Sequence, residues 1–145
     1  MIASPARVIA FFALQTYPSL MNVPRKKHLI AIVDDDESAR SAIHGVLKSD
    51  GFKPQAFASA EEFLASGQQS ETACLISDIR MPGMSGLELQ ARLAEEGYRI
   101  PIIFVTAYGD KRMRMQAMRG GAVCFLGKPF DDNVLLESVR VALES

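Results

Sequence analysis

The sequence predicts an α/β fold, a five-stranded parallel sheet with helices on both faces, and three observations carry that prediction. Short continuous apolar runs, such as 29–34 "LIAIVD" and 101–107 "PIIFVTA", have the composition of strands covered on both sides. Segments with apolar residues at helical spacing alternate with these runs along the chain. Glycine or proline punctuates the changeovers, at Gly51, Gly97, Pro101, Gly120 and Gly121. Alternation of this kind implies parallel pairing with right-handed crossovers, since each helix must carry the chain back to the starting edge.

Residues 29–34 are the first expected strand. Over 37–49, Ala39, Ile43, Val46 and Leu47 share one helical face, and Asp50-Gly51 stops the helix. A shorter strand follows at 53–57. Ser59-Ala60-Glu61-Glu62 then resembles a capping box ahead of a short helix. Residues 72–77, "TACLIS", are the next buried strand. Ser85 is placed to cap a helix on which Leu87, Leu89, Leu93 and Ala94 alternate with charges up to Gly97. Residues 101–107 are a fourth strand, opened by a proline, which a strand start tolerates. Residues 110–119 form a basic, Met-rich helix ended by Gly120-Gly121. A fifth strand is expected at 122–126. The last helix is expected at 131–144, with Val134, Leu135, Ser138, Val141 and Ala142 inward.

At 145 residues, 48% hydrophobic and 23% charged, the chain has the size and balance of one globular domain, expected over 28–145. A net charge of -1 offers no general attraction to nucleic acid or to anionic membranes, and no local basic patch is expected after residue 28. Direct nucleic-acid binding and membrane association are therefore not expected. Cys74 and Cys124 each lie in an apolar run without a CxxC partner, which reads as two small buried hydrophobes in a reducing cytoplasm. His28 adjoins Arg25-Lys26-Lys27, and His44 is expected on the solvated side of its helix, so no zinc site can be built. Residues 1–27 fall outside the alternation and are read as a non-core extension. Their apolar stretch 8–14 is too short to span a membrane, and no A-x-A-like cleavage site follows it.

In open parallel sheets the ligand site lies beyond the carboxyl ends of the strands. Those ends carry Asp34, Asp35 and Asp36 after the first strand, Asp78 after the third, Thr106 at the fourth and Lys128 after the fifth. Taken singly, each has a bland explanation: helix-start acids are common, and one strand-end threonine or lysine means little. Together they gather three strand-end acids, a hydroxyl and an ammonium on one rim. Oxygen-only ligands suit a hard cation such as Mg2+, and lysine supplies a point charge for a phosphoryl oxygen. The parts read as a magnesium-assisted phosphoryl site with an aspartate as covalent acceptor. Pro82 and Gly83 suit a tight turn that leaves backbone groups facing it.

These residues resemble the receiver domain of bacterial two-component response regulators, from about Leu29 onward. "IVDDDES" is similar to the family's acidic cluster, and "SDIRMPGMSG" to its phosphoacceptor segment. "VTAYGD" and "GAVCFLGKPF" resemble its switch segments, and the pieces look most like the FixJ-type branch. The resemblance implies a (βα)5 flavodoxin-like sheet of strand order 2-1-3-4-5. It implies that Asp78 is phosphorylated and that Asp34, Asp35, Asp78 and the Arg80 backbone carbonyl hold Mg2+. It assigns the phosphate-binding and switch roles to Thr106, the Ala107 backbone, Phe125 and Lys128, with Lys128-Pro129 cis.

The function expected from this is a phosphorylation switch rather than an enzyme, with a sensor histidine kinase or phosphotransfer protein as donor. The 110–144 face would then select a partner or a second copy of the chain, in the cytoplasm. A helix-turn-helix output domain, frequent in that branch, is not present in the sequence. A rival reading is a haloacid-dehalogenase-like phosphatase, because Asp34-x-Asp36-x-Ser38 loosely fits that family's nucleophile motif. It would make Asp34 the nucleophile and leave Asp78 unexplained.

Overall fold

The computed structural model describes residues 29–144. Its strands are β1 (Leu29–Val33), β2 (Lys53–Phe57), β3 (Thr72–Ser77), β4 (Ile102–Thr106) and β5 (Cys124–Gly127). They form one sheet in the order β2-β1-β3-β4-β5, and every neighbouring pair is parallel. The helices are α1 (Glu37–Ser49), α2 (Ala60–Ala65), α3 (Gly86–Glu95), α4 (Lys111–Arg119) and α5 (Asp132–Leu143). The expected extension, residues 1–27, lies outside the described residues.

The strand side chains alternate between two cores. Ile30, Ile32, Cys74, Ile76, Ile103 and Val105 meet Ile43 and Leu47 of α1 and Leu135 and Val139 of α5. Ala31, Val33, Leu75, Ile102 and Phe104 meet Phe63 of α2, Leu89 and Leu93 of α3 and Ala117 of α4. Period two along each strand thus feeds both faces, which explains why the runs looked continuously apolar.

Several expected details are corrected. β1 ends at Val33, so Asp34 stands just past it, and β5 is Cys124–Gly127 rather than 122–126. On α3, Ala94 is exposed, whereas Gln90 is buried and donates from Nε2 to the Ala117 carbonyl at 2.9 Å. On α5, Val134 and Val141 are 48% and 47% exposed, while Leu136 and Val139 are buried. Both 134/138/141 and 135/139/142 satisfy helical spacing, and only the tilt of α5 on the sheet chooses between them.

Ser59 caps α2 by accepting from the Glu62 amide at 3.0 Å, but the Glu62 carboxylate takes the Ala58 N–H instead of closing the box. The reciprocal pair is at Ser85 and Glu88, at the start of α3. Cys74 is buried as expected, but Cys124 and His44 are half-buried. A basic patch exists after all. Lys111, Arg112, Arg114 and Arg119 are exposed on the nine residues of α4, and none of them makes a salt bridge among the described residues. Lys111, Arg112 and Arg119 line one groove, while Arg114 turns toward Phe125.

Candidate functional site

Ladder hydrogen bonds run one step past the strand ends and place the polar residues on one rim. The Asp34 amide donates to Phe57 O at 3.2 Å, the Asp78 amide to Val33 O at 2.9 Å and the Lys128 amide to Thr106 O at 3.0 Å. Backbone bonding of this kind leaves little freedom for the side chains that follow, because the groups are tied to a buried sheet.

Asp34, Asp35 and Asp78 each offer a carboxylate oxygen, and these oxygens all lie within 4.8 Å of one another. Three such groups would repel strongly unless a cation sat among them. Lys128 supplies one. Its Nζ donates to Asp34 Oδ2 at 2.7 Å and to Asp78 Oδ2 at 2.9 Å. Asp34 Oδ1 also accepts from the Asp36 amide at 2.9 Å, and Asp78 Oδ1 from the Ile79 amide at 2.6 Å.

Burial pushes the Asp34 carboxyl above its ordinary value, opposed by the hydrogen bonds from Lys128 and Asp36. Burial would lower the Lys128 ammonium, but its hydrogen bonds to Asp34 and Asp78 outweigh that and hold it above the usual lysine range. Asp35 is exposed, and no hydrogen bond or ion pair engages its carboxylate among the described residues. An oxygen-only donor set with one free carboxylate fits a hard, partly hydrated cation such as Mg2+.

Thr106 Oγ1 is buried and has no hydrogen-bond partner among the described residues. A buried hydroxyl without a partner is uncommon and costly, which fits a group that receives a ligand oxygen. Beside it, Phe125 is half-buried, with the Arg114 guanidinium 5.8 Å from its ring centroid. A methyl at Gly109 would come within 2.7 Å of the Phe125 ring edge and 2.8 Å of Thr106 Cγ2, so that glycine makes room for both. Arg80 and Ala107 are exposed at the rim, and Tyr108 is 72% exposed. The Lys128-Pro129 bond is cis. The structure therefore brings Asp34, Asp35, Asp78 and Lys128 together directly, ties Thr106 to them through the Lys128 amide, and sets Phe125 beside Thr106.

Three supporting residues escaped sequence reasoning. A Cβ at Gly86 would overlap the Asp78 carbonyl oxygen, so only glycine lets α3 begin so close to that aspartate. Ser77 Oγ donates to the same carbonyl at 2.7 Å. Arg40 Nη1 donates to the Asp34 carbonyl at 2.7 Å and so clamps the acidic loop from α1. Each acts on backbone within a few residues of the acid it supports, and a motif gives the residue type without saying which carbonyl it meets.

The model of the response regulator receiver domain matches residues 30–140. The chain belongs to the response regulator receiver family. This receiver is 46% identical over 118 residues to Nodulation protein W of Bradyrhizobium diazoefficiens, covering 81% of the chain and 52% of that protein. It is 40% identical over 134 residues to the response regulator protein TmoT of Ectopseudomonas mendocina, covering 90% of the chain and 61% of that protein. The receiver thus spans about half the length of the curated relatives it matches. Among solved structures it resembles FixJ-N, with a TM-score of 0.74 and 38% identity over 83% of this chain and 96% of that one. It also resembles the response regulator StyR, with a TM-score of 0.75 and 42% identity over 80% of this chain and 59% of that one. Nothing in these likenesses supports the phosphatase reading with Asp34 as nucleophile.

Proposed function

We propose that this receiver accepts a phosphoryl group on Asp78 from a histidine kinase or phosphotransfer protein and signals through the 110–144 face. The observation that carries the reading is the Lys128 ammonium bonded to both Asp34 and Asp78, with its own amide on the carbonyl of Thr106, whose buried hydroxyl has no partner among the described residues. Asp34, Asp35, Asp78 and the Arg80 carbonyl would hold Mg2+, which when bound offsets charge on the phosphoryl oxygens and the carboxylates.

The chain's own residues do the rest. An Asp78 carboxylate oxygen attacks phosphorus, the new O–P bond forms and the donor's N–P bond breaks, its electron pair remaining on the imidazole nitrogen. Lys128 Nζ, already bonded to Asp78, turns to a phosphoryl oxygen, and Thr106 Oγ1 donates to another. Drawing Thr106 inward changes the space beside Gly109, to which the Phe125 ring responds, and with it α4 through Arg114.

On this reading the domain is a signalling module with at most self-catalysed phosphorylation and dephosphorylation. It works in the cytoplasm, where kinase and phosphodonor are found. Among the described residues no helix is long and apolar enough to cross a membrane. The altered face selects a protein partner or a second copy of this chain rather than nucleic acid. Four cations on a single helix, in a chain of formal charge -1, are few for tracking a phosphate backbone.

Acetyl phosphate with Mg2+, followed by borohydride trapping and peptide mapping, tests the assignment. Reduction at Asp78 is expected. Label at Asp34 instead would overturn it.

A further inference from the structure

We propose that Glu61 is a positioning residue for phosphoryl transfer, holding the turn that follows the phosphoacceptor from the neighbouring helix α2. The inference rests on the assignment of Asp78 as acceptor. Glu61 Oε2 accepts from the Met84 amide at 2.8 Å, across 23 residues of sequence. The same carboxylate lies flat against Gly83, where an added Cβ would stand 2.5 Å from Oε2 and 3.3 Å from Cδ. Gly83 has φ +77°, so its backbone calls for glycine, and a side chain there would also push the Glu61 carboxylate off its bond to Met84.

The helix that carries Glu61 is firmly placed. Phe63 is fully buried, and its ring meets Phe57 edge-on with centroids 5.3 Å apart. The Glu61 carboxylate takes no part in the cap of α2, where Ser59 accepts from the Glu62 amide and Glu62 from the Ala58 amide. No salt bridge among the described residues involves Glu61 either. Its carboxylate is spent on the turn.

That turn matters for chemistry because of what it spans. At one end Gly86 packs on the Asp78 carbonyl, and the Gly86 amide donates to Ile79 O at 2.8 Å. At the other end Glu61 holds the Met84 amide. Between them lies Arg80, whose carbonyl is proposed to face the site. With Glu61 lost, Asp78 and Ile79 keep their bonds to Val33, Ser77 and Gly86, but the Met84 end of the turn loses its side-chain anchor. Pre-organised geometry of this kind appears in the rate, not in the fold.

The test is the rate of phosphorylation by acetyl phosphate in wild type, Glu61→Ala, Glu61→Gln, Gly83→Ala and the Glu61→Ala/Gly83→Ala double variant. Glu61→Ala should slow the reaction roughly three- to tenfold, the scale of one solvent-exposed hydrogen bond. Its urea midpoint should stay close to that of wild type. Glu61→Gln keeps an acceptor oxygen and should restore most of the rate, a rescue that a purely structural role would not predict. Gly83→Ala should be slow, and adding Glu61→Ala should recover part of that loss by removing the carboxylate it strikes. Amide exchange at Met84 should quicken in Glu61→Ala and not in Glu61→Gln. An unchanged rate in Glu61→Ala, with wild type labelled at Asp78, overturns the positioning role while leaving the acceptor assignment intact. A Gln variant as slow as Ala overturns the hydrogen-bond account. Wild type labelled elsewhere than Asp78 overturns the acceptor assignment itself.

Discussion

Replacing Lys128 by methionine keeps the aliphatic stem and removes only the charge between Asp34 and Asp78. Those carboxylates are 1% and 9% exposed as residues, and their oxygens, with that of Asp35, lie within 4.8 Å of one another. One pair at that distance repels by about 1 kcal/mol in bulk water and about 3.5 kcal/mol at the effective dielectric of a protein surface. The Lys128 side chain is 18% exposed, so the site is mostly sheltered and the upper part of that range applies. Without divalent ions at pH 7.5, Lys128→Met should therefore lose about 2–3 kcal/mol, read from urea unfolding in a chelator. Adding Mg2+ should then stabilise the variant more than wild type, because no ammonium competes for the same oxygens. Equal Mg2+ stabilisation of the two proteins, or no loss in the chelator, would refute the electrostatic account of the rim.

Asp35→Asn should leave the urea midpoint within about 0.5 kcal/mol of wild type, since its carboxylate is exposed and unengaged, yet weaken Mg2+ binding in an NMR titration. Unchanged Mg2+ affinity would remove Asp35 from the ligand set. Thr106→Val replaces the unpartnered hydroxyl by a methyl and should be neutral or stabilising by up to about 1–3 kcal/mol, while its response to beryllofluoride weakens. Burial pushes the Cys74 thiol up to about 12, so in native protein at pH 8 a thiol reagent should label Cys124 first. The sign of the linked stability follows: Cys74 stays protonated when folded but ionises when unfolded above its ordinary 9.0, so stability falls as pH rises past 9. Urea midpoints at pH 8 and pH 10 in wild type and Cys74→Ala check this, the decline being shallower in the variant.

Much of the site was legible because strand ends point where the sheet puts them. Once 29–34, 72–77 and 101–107 read as parallel strands, Asp34, Asp78 and Thr106 had to share a rim. Lys128 joined them as the residue after the fifth strand, although that strand began two residues later than expected. Boundaries slipped where apolar sequence continued through a turn, as at Ala122 and Val123.

By itself, then, the sequence determined the alternation, the sheet class and the residue types at the rim, because side-chain periodicity and turn chemistry are local. Which face of α5 is buried was not local. Val134 and Leu135 are equally apolar, and only docking on β3 and β4 exposes one and covers the other. Nor could spacing show that Gly86 and Gly109 are glycines on account of Asp78 and Phe125. Those needs arise from atoms that meet only when the sheet and its helices close together.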